Sequence, residues 1–132
     1  MLYLMYDNVV IAKREGNEGN YSVALETGVK PFFIPNELFR GKDHASMLHF
    51  IDWIADRIFP KNRVGADRLL SEMGLDTYSI IGVARQTKAC LMEDGFWVAF
   101  SEEDDFRRDT IRGQFNFPDL AESDYLFKET KG

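Results

Sequence analysis

Cysteine is nearly absent from this chain: one residue, Cys90, in 132. A single thiol excludes an intramolecular disulfide framework and any metal centre built from several thiolates. Histidine is almost as scarce. Its two copies, His44 and His49, stand five apart, which on a helix turns them about 140° from one another, unlike the four-residue step of a zinc-binding helix. No apolar run approaches the roughly 20 residues of a membrane-spanning helix, and the opening Met1–Tyr6 stretch lacks the basic lead of a signal peptide. Positive charge is in deficit, with 16 basic against 22 acidic side chains and a net charge of −6. That balance argues against a general nucleic-acid binder, which needs a net basic face to displace counterions. The glycines are scattered, so no phosphate-cradling loop forms, and neither a Gly-x-Ser-x-Gly elbow nor a kinase catalytic loop is present. These absences lead us to expect a cytoplasmic protein with no catalytic residues, no metal, no cofactor and no direct contact with membrane or nucleic acid.

What is present is enough to fold. Apolar residues make up 45% of the chain and aromatic ones 14%, which places it among globular domains rather than disordered segments. No Gly/Ser linker divides it, and the expectation is a single α+β domain over residues 1–132. Residues 1–40 read mainly as strands. Leu2–Tyr6 and Val9–Ala12 flank the turn pair Asp7-Asn8, and Tyr21–Glu26 alternates with period two, so an antiparallel meander is expected. Pro31 and Pro35 bracket an extended connection. Residues 44–87 read as a three-helix unit. The first helix spans 45–59, is capped by Asp43 or Ser46 and stopped by Pro60; its apolar stripe is Met47, Leu48, Ile51, Ile54, Ala55 and Ile58. The second starts at Asn62, buries Val64, Ala66, Leu69, Leu70 and Met73, and ends in a Schellman turn at Gly74-Leu75. The third follows a cap at Asp76 or Thr77. A strand at 94–101 comes next, with Phe96, Val98 and Phe100 on one face and Trp97 and Ala99 on the other, both buried. Residues 106–132 form an appended C-terminal segment.

Candidate functional groups are surface charges rather than catalytic clusters. Arg57, Lys61, Arg63 and Arg68 fall around the junction at Pro60, the first three being the candidate partner-binding cations. They either oppose the end of the first helix and pair with Asp56 and Asp67, or hold an anion or a partner's carboxylate, which arginine grips with two parallel hydrogen bonds. Glu102, Glu103, Asp104 and Asp105 are consecutive, so they need solvent or a basic partner. Cys90, set between Ala89 and Leu91-Met92, reads as a buried structural thiol.

Three short patterns carry a resemblance: Arg57-x-x-Pro60-x-x-Arg63, Leu69-Leu70-x-x-Met73-Gly74-Leu75, and Asp94-Gly95-Phe96-Trp97-Val98. Together with the opening strand pair they resemble, in order over about residues 1–100, the accessory region of bacterial HipA-like proteins. In that family a small module precedes a serine/threonine-kinase-like toxin domain. The segment after Phe100 departs from the family's connector, and the 132 residues contain no kinase-like domain. The resemblance therefore implies a free-standing, non-catalytic module that regulates by docking on a protein such as a HipA-like kinase. The alternative is a phage-encoded, anti-CRISPR-like inhibitor whose carboxylates occupy the nucleic-acid groove of a defence nuclease. It requires Glu102–Asp105 to join Glu93, Asp109 and Asp119 in one acidic stripe.

Overall fold

Five antiparallel strands and the helices laid across them account for the computed structural model, which describes residues 2–17 and 19–115. The strands are β1 (Tyr3–Tyr6), β2 (Val9–Asn17), β3 (Asn20–Leu25), β4 (His44–Ser46) and β5 (Phe96–Ala99), in the spatial order β4-β3-β2-β1-β5. The chain is thus an α+β protein whose N-terminal meander is extended by one strand at each edge. At the first turn Asp7 takes the left-handed conformation with φ 47°, a region asparagine and aspartate enter more readily than other side chains. Pairing of β1 with β2 slips by one residue between Leu4 and Met5. The bulge turns Ile11 and Ala12, neighbours in sequence, into the same core, and both are fully buried.

The helices are α1 (Asn36–Phe39), α2 (Met47–Ala55), α3 (Ala66–Glu72), α4 (Ile80–Thr87) and α5 (Phe106–Asp109). One sheet face supplies Leu4, Val9, Ile11, Ala12, Val23 and Val98, which pack with Leu38 and Phe39 of α1, Phe50, Trp53 and Ile54 of α2, and Ala84 of α4. Among the described residues the other face is covered only over β1 and β5, where Met5, Trp97 and Ala99 meet Cys90 and Phe106 in a second, smaller cluster. Trp97 is completely buried there while Val98 faces the larger core, so β5 is buried on both sides as its sequence suggested. Over β2, β3 and β4 the second face carries Lys13, Glu15, His44 and Ser46, all exposed.

Several boundaries differ from the sequence reading. Residues 44–46 are strand, not helix: Leu25 N–H donates to Asp43 O at 2.8 Å and the ladder continues from Val23 to Ala45. Ser46 then caps α2, its hydroxyl accepting from His49 N–H at 3.1 Å. The helix closes at Ala55, ahead of Pro60, because Arg57 N–H turns back to Ile54 O at 2.9 Å. The segment between Pro31 and Pro35 is not extended. Pro31 opens a 3-10 turn, Pro31–Phe33, and Pro35 O accepts from Leu38 and Phe39 to start α1. Proline is excluded from helix interiors but suits the first turn, where no N–H is needed. The helix expected from Asn62 begins only at Ala66, after Gly65 in the left-handed region (φ 83°), which leaves Val64 outside its apolar stripe. Ser79, rather than Asp76 or Thr77, caps α4 by accepting from Gly82 N–H at 2.9 Å. The Schellman turn forms as read: Leu75 N–H reaches Leu70 O at 2.8 Å, Gly74 N–H reaches Ser71 O at 3.0 Å, and Gly74 has φ 74°. Of the appended segment, α5 and a 3-10 turn at Gly113–Phe115 are described; residues 116–132, including Asp119, lie outside the described residues.

Gly95 shows how tightly β5 is seated. A Cβ at this position would lie 2.6 Å from Asp7 Oδ1 and 2.6 Å from Cε1 of the Tyr6 ring. Neither neighbour is free to yield, since Asp7 is buried and Tyr6 is packed edge-on between Phe33 and Phe96. Gly95→Ala is expected to cost about 1–3 kcal/mol by overpacking, read as a lower urea midpoint with an unchanged slope.

Candidate partner-binding surfaces

Arg57 is buried, with only 7% of its side chain exposed. Its Nε donates to Ala89 O at 2.8 Å, and its two terminal nitrogens grip the Asp94 carboxylate at 2.9 and 2.7 Å. One of them also reaches Phe96 O at 2.7 Å. The guanidinium lies 4.6 Å from the centre of the Trp53 ring. A single side chain thereby joins the end of α2, the residues after α4 and the entry to β5, and it caps a carbonyl at the edge of the sheet. Ala89 presents its carbonyl to Arg57, and Lys88 presents its own to Val98 N–H at 2.7 Å. Both residues are left-handed, Lys88 with φ 59° and Ala89 with φ 50°. Arg57 is an internal clasp, and its partner is Asp94, 37 residues away, rather than the neighbouring Asp56 or Asp67. In the sequence Asp94 opened the strand expected at 94–101, with nothing to mark it as the partner of Arg57.

The acidic run divides in two. Asp104 is turned inward: its Oδ2 accepts from Lys88 Nζ at 3.1 Å and from Phe100 N–H at 2.7 Å. Asp105 caps α5 by accepting from Arg108 N–H at 2.9 Å. Asp109 is held by Arg108 at 2.8 Å, and that hydrogen bond keeps its carboxyl below the usual aspartate range. Only Glu102 and Glu103 of the run face solvent along with Asp105, and Tyr3 reaches Glu102 at the long distance of 3.5 Å. Lysine and arginine therefore sit inside the region that an acidic stripe would need. A further ion pair, which the sequence did not signal, ties Arg112 to the buried Asp7 at 3.3 Å, while Asp7 O accepts from Trp97 Nε1 at 2.6 Å.

Lys61 and Arg63 take the opposite course. Residues 60–77 form an arm between α2 and α4, closed at its base by Tyr78, whose hydroxyl donates to Phe59 O at 2.8 Å with the two rings edge to face. Within this arm the turns Arg63 N–H to Pro60 O and Ala66 N–H to Arg63 O lead into α3. Ala66 and Leu70 are buried but belong to neither of the two core clusters. Lys61 and Arg63 are exposed, and neither side chain has a hydrogen bond or ion pair among the described residues. With Asn62, Gly65, Ala66, Asp67 and Arg68 they line a cleft of about 380 Å³. Val64, which the sequence reading buried, stands beside it 97% exposed.

The two histidines stay apart from each other. His44 lies on β4, hydrogen-bonded to Asp43 at 2.7 Å and, across β3, to Glu15 at 3.1 Å; His49 is exposed on α2. The hydrogen bond to Asp43, then that to Glu15, raises the His44 pKa, and the same contact lowers that of Asp43. A raised histidine pKa favours the folded state fully below the unfolded value, and the benefit fades as pH climbs through the folded value. Relative to His44→Gln, the native protein should therefore melt at a higher temperature near pH ~5.5 and lose that advantage by pH ~9. Cys90 is buried, and burial raises its pKa, so the thiol is poorly nucleophilic. Among the described residues no group of three or more histidine, cysteine or acidic side chains is placed to hold a metal, and no helix is long and apolar enough to cross a membrane. Comparison with known proteins found no matching family model, no matching curated protein and no matching solved structure.

Proposed function

We propose that this chain is a non-catalytic regulatory module that acts in the cytoplasm by binding another protein, in the manner the HipA-like resemblance implies. The observation that carries this reading is the arm at residues 60–77, where two exposed cations with no ion pair among the described residues flank an almost fully exposed valine. Solvated charges need no explanation alone. A single exposed valine needs none either, but Val64, 97% exposed between Lys61 and the cleft cation Arg68 and next to Arg63, adds apolar area that a partner covering the cations would bury as well. The Arg57-x-x-Pro60-x-x-Arg63 pattern then has two halves with separate tasks: Arg57 anchors the base of the arm, and Arg63 is presented at its end.

The nuclease-inhibitor alternative draws less support. Asp104 and Asp109 are engaged by Lys88 and Arg108, so carboxylates and cations alternate where mimicry of a phosphate track needs uninterrupted negative charge. The module reading is tested by recovering proteins bound to the tagged full chain in its native host and reconstituting each with purified material. One partner is expected to bind saturably at a fixed stoichiometry by calorimetry. Recovery of no protein that survives reconstitution overturns the reading.

A further inference from the structure

The geometry points to the cleft at the head of the arm as a receptor for an acidic peptide segment of the partner, one that carries an aliphatic side chain next to its carboxylates. This rests on the module reading and specifies its docking chemistry. Lys61, Arg63 and Arg68 line one cleft of about 380 Å³, and the first two hold no carboxylate among the described residues. Arg68 is linked to Glu72 only through an exposed contact at 3.2 Å, one helical turn away, which water already weakens and a competing carboxylate can replace. Among the described residues the cleft thus has two cationic groups without a carboxylate partner and a third that can be recruited, the donor set for two or three carboxylate oxygens.

Two neighbours narrow the ligand. Val64, 97% exposed beside the cations, gives an aliphatic residue a surface to cover, which a purely ionic ligand would leave wet. Asp67 on the same lining repels a second anion at that end, so the negative charge of the ligand must be local rather than continuous. The rest of the molecule adds the same restriction. Residues 61–68 hold three cations and one carboxylate on a chain whose net charge is −6. A nucleic-acid duplex or an anionic bilayer would bring its charge against the remaining, negative surface, whereas a short peptide meets the cleft alone. Electrostatic reach at physiological salt is only about 8 Å, so a ligand confined to the cleft is governed by the cleft's own charge.

The test uses the full chain, labelled for NMR, titrated with a synthetic pentapeptide Glu-Glu-Leu-Asp-Glu blocked at both ends. Inorganic phosphate, a short DNA duplex and phosphatidylglycerol vesicles are titrated in parallel. Saturable shifts confined to residues 60–68, larger for the peptide than for an all-glutamate control, support the assignment. Shifts that phosphate, DNA or vesicles reproduce at equal charge, or peptide shifts outside the arm, overturn it. With the reconstituted partner, Lys61→Glu combined with Arg63→Glu is expected to weaken binding at least tenfold, while Glu102→Lys with Glu103→Lys changes it less than about twofold. Both pairs are exposed, and unchanged melting temperatures confirm that each variant folds. A partner that responds to the glutamates and ignores the arm refutes the docking site yet leaves the module reading standing. Failure to reconstitute any partner refutes the module reading, and the peptide titration still decides the cleft.

Discussion

Arg57→Met is expected to destabilise the fold by about 3–5 kcal/mol, the range for breaking a buried ion pair by removing one member. The substitution keeps most of the side chain's volume and its packing on Trp53, so the loss isolates the guanidinium's four hydrogen bonds. It leaves the Ala89 and Phe96 carbonyls without their donor, and Asp94 without its counterion. Asp94 keeps its bond to Phe96 N–H at 3.0 Å, and about a third of its side chain is exposed. Water can therefore repay part of the carboxylate's loss, which places the cost toward the lower end of the range. For a domain of this size such a change lowers the melting temperature by roughly 10 °C or more. Arg57→Lys should recover little, since an ammonium cannot span the two Asp94 oxygens and two backbone carbonyls in one plane. Combining Arg57→Met with Asp94→Leu should restore part of the loss, because no unpaired charge then remains. Equal stability of the single and double variants in urea would contradict the clasp.

Trp97→Ala is expected to cost a similar amount, about 3–5 kcal/mol. Trp97 is fully buried, stacks on Phe106 at 6.5 Å between centroids, and is the largest member of the smaller cluster. With so few residues around it, that cluster has little material to collapse into the space. Trp97→Phe separates two contributions. It keeps most of the apolar area but deletes the donor to Asp7 O, leaving a buried carbonyl unpaired at about 1–3 kcal/mol. Chemical unfolding of the three proteins should therefore rank native, phenylalanine, alanine. Loss of Trp97 should also expose Cys90, its neighbour in the cluster, and quicken labelling by a thiol reagent.

Features set within a few residues were readable from sequence. Alternation over Tyr21–Glu26 and the Asp7-Asn8 turn located the meander, and Gly74-Leu75 named its own Schellman turn, because each depends on chain geometry close at hand. β4 was not readable: His44-Ala45-Ser46 has no strand signature, and its conformation comes from hydrogen bonds to β3. The place of β5 beside β1 is equally nonlocal. At the candidate site, sequence grouped Arg57, Lys61 and Arg63 but could not divide them. Lys61 and Arg63 differ from Arg57 only in whether a distant carboxylate reaches them, and Asp94 is 37 residues away from Arg57. Val64 went astray for another reason. Two residues before Ala66 and six before Leu70, it is off the helical period of both, and the left-handed Gly65 separates it from α3.

The strand order has a kinetic consequence. β1 is made first, pairs with β2 as soon as the hairpin emerges, and must then wait for β5, about 90 residues later, to cover its other side. At ribosomal rates of about 5–20 residues per second the wait is on the order of 5–20 s. Throughout it, the backbone of Tyr3–Tyr6 offers an unoccupied ladder, and Met5 lacks Trp97 and Phe106, its neighbours in the smaller cluster. Newborn chains are therefore most prone to pair with one another before Phe96 leaves the ribosome. Once β5 is in place, the Arg57 clasp holds it there.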